Sequence, residues 1–300
     1  MRSKHIFAYA LFLLAPLLGA NTDDTSLIKS GATLQKLAGG FAFTEGPTSD
    51  KQGNVYFTDQ PNNRIHKWST DGQLSTYMEP AGRANGLFID SKGDLWACAD
   101  ANTELWKIDK NKNVVVALKD YTGQKFNGPN DLWVARNGNI YFTDPFYARP
   151  WWEHKTPPQD VQAVYYLSKD RKTLNRVAAD LKQPNGIIGT PDGKMLYIAD
   201  IGASKTYSYQ IEKDGSLSNK KLFCEMGSDG MTLDNRGNVY LTNRAGVTVF
   251  SPQGEKLLNI PVDESWTANV CFGGKDHQTL FVTASKSLYA IDMNVKGVKP

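Results

Sequence analysis

Residues 53–59 read GNVYFTD, and this phrase decides the fold because the chain repeats it. Variants return as GDLWACAD from Gly93, GNIYFTD from Gly138, GKMLYIAD from Gly193, GNVYLTN from Gly237 and HQTLFVTA from His277. The spacings are 40, 45, 55, 44 and 40 residues. Each copy is a turn followed by an apolar run rich in β-branched and aromatic residues, the composition of a strand. A second strand follows each one (RIHKW, ELWKID, AVYYLS, KTYSYQI, GVTVFS, SLYAID), and no stretch after the amino terminus keeps a helical period. Units of this length, all strand, predict a six-bladed β-propeller.

Five of the pairs are followed by a further strand, such as QLSTYMEP or NVVVALKD, but the sixth pair runs into the end of the chain at Pro300. A matching segment lies at the other end, ATLQKLAGG from Ala32. This N-terminal strand is expected to complete the last blade, which hides two sheet edges. The propeller is therefore placed over residues 24–300 as one domain, and closure of the ring leads us to expect a monomer.

Residues 1–20 are set apart. Arg2, Lys4 and His5 precede an almost wholly apolar run from Ile6 to Leu18, and Leu18-Gly19-Ala20 offers a small residue for cleavage. This is the pattern of a signal peptide and is too short to span a membrane with normal margins. The mature chain is expected to begin near Asn21, to be periplasmic or secreted, and to carry no membrane anchor. Without Arg2 and Lys4 it has 32 basic and 31 acidic residues. That balance, with no basic stripe, argues against a nucleic-acid partner. Cys98, Cys224 and Cys271 lack metal-type spacing and are read as buried thiols. His66, His154 and His277 are scattered, read as surface residues, and seed no catalytic triad. Asp59, Asp100, Asp144 and Asp200 end their strands before turns and are read as structural.

The stretches before the six first strands are TEGPTSD, ANGLFID, PNDLWVA, PNGIIGT, SDGMTLD and ANVCFGG. Aligned, they bring Glu45, Asn85, Asn130, Asn185, Asp229 and Asn269 to one position. All six carry side-chain oxygen, and in a propeller equivalent positions on the innermost strands surround the axis. Asn-Gly and Asp-Gly also make good turns, but a turn device does not account for Glu45. Two carboxylates with neutral amides, and no His or Cys, suit a hard divalent cation, Ca²⁺ before Mg²⁺. Asp131 has no such ring of counterparts and is read either as a partner to the metal site or as a turn residue. The longest interval owes its excess to PFYARPWWEHKTPPQDVQA after Asp144. That loop either covers the central opening, with aromatics such as Trp151 against a sugar ring, or buries its own aromatics.

Glu45-Gly46-Pro47, Pro129-Asn130-Asp131, Pro184-Asn185-Gly186, Asp229-Gly230-Met231 and Phe272-Gly273-Gly274 together resemble the gluconolactonase/regucalcin (senescence-marker-protein) family, over essentially the whole mature chain. The resemblance implies a six-bladed propeller with a catalytic divalent cation, usually Ca²⁺ or Zn²⁺, in the axial channel. It implies metal ligands at Glu45, Asn130, Asn185 and Asp229, with Asn85, Asn127 and Asn269 as channel groups. Many members carry Arg where this chain has Lys125, which leaves the substrate open. The activity expected is hydrolysis of a small sugar lactone, the cation polarising the ring carbonyl and Asp229 orienting or deprotonating the attacking water. Two other readings keep the same site: an organophosphate or aryl-ester hydrolase, and a calcium-binding propeller that recognises carbohydrate without catalysis.

Overall fold

The computed structural model describes residues 23–298. The signal-peptide expectation falls outside them. Six four-stranded antiparallel sheets follow one another round a ring. Their innermost strands are Thr44–Ser49, Ala84–Ile89, Leu132–Val134, Pro184–Gly189, Met231–Leu233 and Thr267–Gly273. The blades are numbered 1 to 6 in that order. Blade 6 is closed by Gln35–Gly39, which pairs antiparallel with Ser287–Asp292. The first and last parts of the propeller are thus hydrogen-bonded together, as the leftover N-terminal strand predicts.

The opening phrase shows why each unit folds as it does. Gly53 adopts φ +90°, and its N–H donates to the Asp50 carbonyl (3.0 Å). Asp50 Oδ1 in turn accepts from the N–H groups of Gln52 (3.0 Å) and Asn54 (2.9 Å). Aspartate and a left-handed glycine therefore set the hairpin before the second strand begins. In Val55–Asp59 both faces are used. Val55 and Phe57 pack with Cys271 and Phe281 of blade 6, whereas Tyr56 packs toward Leu87 and Ala97 of blade 2. The near-continuous apolar run follows, since each strand lies between two neighbouring blades. Thr58 joins the blades by hydrogen bonding, its hydroxyl donating to the Asn85 carbonyl (3.0 Å).

Cys98, Cys224 and Cys271 are buried and free, as expected. His66 is a correction. It is 7% exposed and lies against the rings of Phe41 (5.0 Å) and Phe57 (5.4 Å). Its strand has both faces covered, so it is a core residue.

Candidate active site

Register decides which side chains reach the axis. Thr58 Oγ1 of blade 1 donates to the Asn85 carbonyl of blade 2, and Thr242 Oγ1 of blade 5 donates to the Ala268 carbonyl of blade 6 (2.7 Å). The same inter-blade bond makes Ala268 the counterpart of Asn85. The axial ring is therefore Glu45, Asn85, Asn130, Asn185, Asp229 and Ala268, with five oxygen-bearing side chains. Asn269 lies one residue deeper, after a register shift between Thr267 and Asn269.

At that deeper level Asn269 meets the residue that had no partner. Asn269 Nδ2 donates to Asp131 Oδ2 (3.3 Å), and Leu132 N–H donates to Asp131 Oδ1 (2.9 Å). The other four positions at this level are Gly46, Gly86, Gly186 and Gly230. A Cβ on Gly86 would lie 2.6 Å from Asp131 Oδ1, and one on Gly230 would lie 1.9 Å from Asn269 Cγ. Glycines here leave room for two side chains that cross the axis. Burial pushes the Asp131 carboxyl up to about 8, with the Leu132 N–H and Asn269 bonds opposing it. This pair closes the floor of the pocket above it. A smaller cavity of about 90 Å³ lies at the other end of the axis.

Above the floor, Glu45 is buried and Asp229 is half-buried. Asp229 Oδ1 accepts from Asn185 Nδ2 (2.7 Å), and Oδ2 accepts from the Trp266 indole N–H (2.5 Å). Asn185 Nδ2 also donates to the Tyr147 hydroxyl (2.9 Å), whereas Asn185 Oδ1 is buried without a partner. Glu45 accepts from the Gly46 N–H (2.8 Å). Desolvation, and then the charge of Asp229, holds the Glu45 carboxyl well above its ordinary range. Desolvation likewise lifts Asp229 to about 6, opposed by Trp266 and Asn185. A buried glutamate penalised by desolvation and by the neighbouring charge of a half-buried aspartate, next to an orphaned amide oxygen, forms a donor set that a cation would satisfy. Among the described residues no group of three or more His, Cys, Asp or Glu could hold a metal. The axial set fits a metal through carboxylate and amide oxygens together.

The pocket over this set has a volume of about 400 Å³. Glu45, Asn85, Asn130 and Asp229 line it, with Phe43, Gln183, Trp266, Tyr147 and Arg149. Asn185 is not on its lining but is bonded to Asp229, and three further expected residues stand outside it. Asn127 is fully buried: its Nδ2 donates to the carbonyls of Asp144 (3.2 Å) and Val161 (2.9 Å), and its Oδ1 accepts from Gln159 N–H (2.9 Å). Its amide pins the loop. Lys125 is exposed on the hairpin strand Gln124–Lys125 and does not line the pocket. Trp151 sits behind the wall, its ring 4.6 Å from the Arg83 guanidinium and 5.8 Å from that of Arg149.

Phe43, Gln183 and Trp266 each lie two residues before an axial position. The two-residue period of a strand places them on the same face. That rim was available to sequence alignment and is missing from the expected set. Tyr147 and Arg149 come from the long loop, which does reach the opening.

The loop is held by one departure from the repeat. Asp59 accepts from the backbone N–H groups of Ala42 and Phe43, Asp144 from those of Asn127 and Gly128, and Asp200 from those of Lys182 and Gln183. Each carboxylate fixes the entry to an innermost strand, as a structural role requires. Asp100 does something else. Its carboxylate accepts from Gln60 Nε2 (3.1 Å) and pairs with Arg149 Nε (3.1 Å), while its carbonyl accepts from the Trp152 indole (2.6 Å). Replacing Asp100 by Asn is expected to raise amide exchange over residues 146–152 about tenfold, with little change near Ala42. Asp59→Asn should give the opposite pattern, so hydrogen exchange of the two variants checks the assignment.

Residues 43–286 match the model of the SMP-30/Gluconolactonase/LRE-like region. A gluconolactonase of Zymomonas mobilis is 29% identical over 304 residues, covering 91% of this chain and 84% of that protein. A solved gluconolactonase of Xanthomonas campestris superposes with a TM-score of 0.83 at 27% identity, covering 90% of this chain and 92% of that one. The diisopropyl-fluorophosphatase of Loligo vulgaris is 28% identical over 267 residues, 80% of this chain and 84% of that protein. With a family model spanning most of its length and an acidic pocket at the axis of its propeller, the chain belongs to the SMP-30/gluconolactonase/LRE-like family and is an enzyme of the lactonase class.

Proposed function

We propose that this pocket hydrolyses a small sugar lactone with a divalent cation held by Glu45, Asn130, Asn185 and Asp229, Ca²⁺ in preference to Zn²⁺ or Mg²⁺. The observation that carries the reading is the pairing of buried Glu45 with half-buried Asp229 beside the unpartnered Oδ1 of Asn185. Two carboxylates match a double positive charge, and amide ligands add none. Such a cation, when bound, supplies a Lewis acid toward a carbonyl oxygen.

The chain's own residues do the rest. Trp266 and Asn185 occupy both oxygens of Asp229, which fixes the orientation of that carboxylate. Desolvation makes it a stronger base than an exposed aspartate, suited to take a proton from the attacking water. Trp266 is itself held in place, since the Ser285 hydroxyl accepts from its N–H (3.0 Å) and donates to its carbonyl (3.1 Å). Phe43 and Trp266 give the wall apolar surface for a sugar ring, and Gln183 and Asn85 give it hydrogen-bonding groups.

Turnover of glucono-1,5-lactone before and after EDTA, with Ca²⁺, Zn²⁺ and Mg²⁺ added back singly, tests this reading. Chelation is expected to lower the rate at least about 100-fold, with recovery on adding the right ion. Undiminished turnover in EDTA would overturn the cation. The similarity to a diisopropyl-fluorophosphatase favours including a phosphotriester. A higher kcat/KM on the triester than on every lactone would reverse the substrate class.

The same cation is expected to control stability with pH. The folded-state pKa values of Glu45 and Asp229 lie above those of free carboxyls, as do those of Asp144 (about 7) and Asp131 (about 8). The folded protein therefore binds protons that the unfolded chain has released, and ∂ΔG/∂pH is negative in this range. In EDTA, the stability contributed by these four carboxyls should be greatest below the ordinary value of 3.8 for the aspartates and should decline as pH rises through about 6 toward about 8. At pH 8, Ca²⁺ at 100 times its Kd is expected to restore about 2.7 kcal/mol. Melting curves at pH 5 and pH 8, with Ca²⁺ and with EDTA, measure this, and no effect of Ca²⁺ at pH 8 would contradict it.

A further inference from the structure

Arg149 is left over from the hydrolytic machinery. It is 20% exposed and lines the pocket that holds Glu45 and Asp229. Its Nε pairs with Asp100 Oδ2 at 3.1 Å, and Asp100 is 2% exposed. Its guanidinium lies 5.5 Å from the Tyr147 ring centre and 5.8 Å from that of Trp151. Among the described residues, no hydrogen bond uses its terminal nitrogens. The side chain is thus oriented from behind, with its donor fork uncommitted.

The repeat shows what this arrangement displaces. Asp59, Asp144 and Asp200 each fix backbone at the entry to their innermost strands, and Asp100 is diverted from that duty to Arg149. The corresponding backbone in blade 2 is held by other means, with Arg83 N–H donating to Asn63 Oδ1 (2.6 Å). Arg83 stacks on Trp151 at 4.6 Å and donates to the Pro61 carbonyl, so its charge adds to that of Arg149 near the one buried carboxylate on this side of the opening. A cation held by Glu45 and Asp229 would neutralise the axis and leave this wall positive. An arginine whose rotamer is already fixed loses little further entropy on binding, and its planar fork matches the oxygens of a carboxylate, sulfonate or phosphate.

We infer that Arg149, anchored by Asp100, is a specificity residue that recognises an oxyanion substituent on the lactone, away from the ring carbonyl. The inference rests on the lactonase reading and deepens it: the preferred substrates are acidic sugar lactones. Lys125, the basic residue that the sequence pattern singles out, stands outside the pocket, so Arg149 is the pocket's own source of positive charge.

Three lactones test this, differing only at C6: glucono-1,5-lactone and its analogues with phosphate or carboxylate there. The intact enzyme is expected to favour a charged lactone at least tenfold in kcat/KM, mainly through KM. Arg149→Met should lower that selectivity ratio at least tenfold, and Arg149→Lys should fall between, keeping charge but losing the fork. The preference should also shrink between low salt and 0.5 M salt in the intact enzyme, a readout that needs no variant. A wild-type enzyme with no preference, or an Arg149→Met enzyme that loses activity equally on neutral and charged lactones, would overturn the inference while the lactonase reading stands. Failure to turn over any of the three would instead overturn the lactonase reading beneath it. Which analogue gains most distinguishes phosphate from carboxylate as the natural substituent.

Discussion

Glu45→Gln and Asp229→Ala are each expected to lower kcat/KM on glucono-1,5-lactone by about 10³-fold or more while the protein stays folded. Glu45 supplies one of only two carboxylates in the axial ring, so its amide halves the charge available to a divalent cation. Asp229 supplies the other and is also the proposed base, so both functions go with it. The two variants separate in stability. In EDTA, Glu45→Gln should melt higher than the parent protein, because it removes a buried carboxylate whose pKa desolvation and the charge of Asp229 both raise. In saturating Ca²⁺ the order should invert, since the parent then gains binding energy that the variant lacks. Asp229→Ala instead leaves Asn185 Nδ2 and the Trp266 indole without their acceptor and should be less stable in both conditions. Turnover retained by both variants would remove the axial carboxylates from the chemistry.

The parts of this molecule that were legible in its sequence are those that repeat. GNVYFTD and its variants mark the second strand of each blade because a strand clamped between two neighbours must be apolar on both faces. The strand left over at the amino terminus is readable for a related reason, since a ring of sheets leaves one edge to be closed. The axial residues Glu45, Asn130, Asn185 and Asp229 share one alignment, and the structure puts them at one level. Asn269 misled because Ala-Asn in blade 6 resembles Ala84-Asn85 in blade 2. The register shift that separates them is a matter of backbone hydrogen bonding, which no residue type announces. Asp131 reads as solitary for the same reason: in the alignment its counterpart Asn269 falls one level too high. Asn127 and Trp151 show a different limit. Both belong to contacts of the 145–163 segment with blades 2 and 3, and the repeat carries no information about an insertion that occurs once. Arg149 was unremarkable as a letter among prolines and aromatics; Asp100 identifies it, by leaving a task that three equivalent aspartates keep.

The ring also predicts which glycines are indispensable. Gly46→Ala is expected to cost about 4 kcal/mol or more, against roughly 1–2 kcal/mol for Gly93→Ala. Both glycines have positive φ, +46° and +88°, so both substitutions strain the backbone. Around Gly93 there is nothing within 4 Å of the added Cβ, and strain is the whole cost. At Gly46 the Cβ would lie 2.1 Å from the Asn85 carbonyl oxygen, 2.8 Å from Gly86 Cα and 2.9 Å from Leu87 N. All three are backbone atoms of the next blade and cannot rotate away. Nor can that strand retreat freely, because Gly86 N–H donates to the Asn130 carbonyl of the blade beyond (2.8 Å). The displacement would therefore pass from blade 1 through blade 2 to a proposed metal ligand in blade 3. Glu45 would move as well, since its carboxylate is held by the Gly46 N–H. Thermal melting should show a drop of roughly 8 °C or more for Gly46→Ala and only a few degrees for Gly93→Ala. Calcium titration should show weakened affinity in the first variant alone. Equal melting shifts would mean that the inner strands yield independently; unequal shifts with a matching loss of Ca²⁺ would show that the close approach of the glycine strands sets the positions of the axial oxygens.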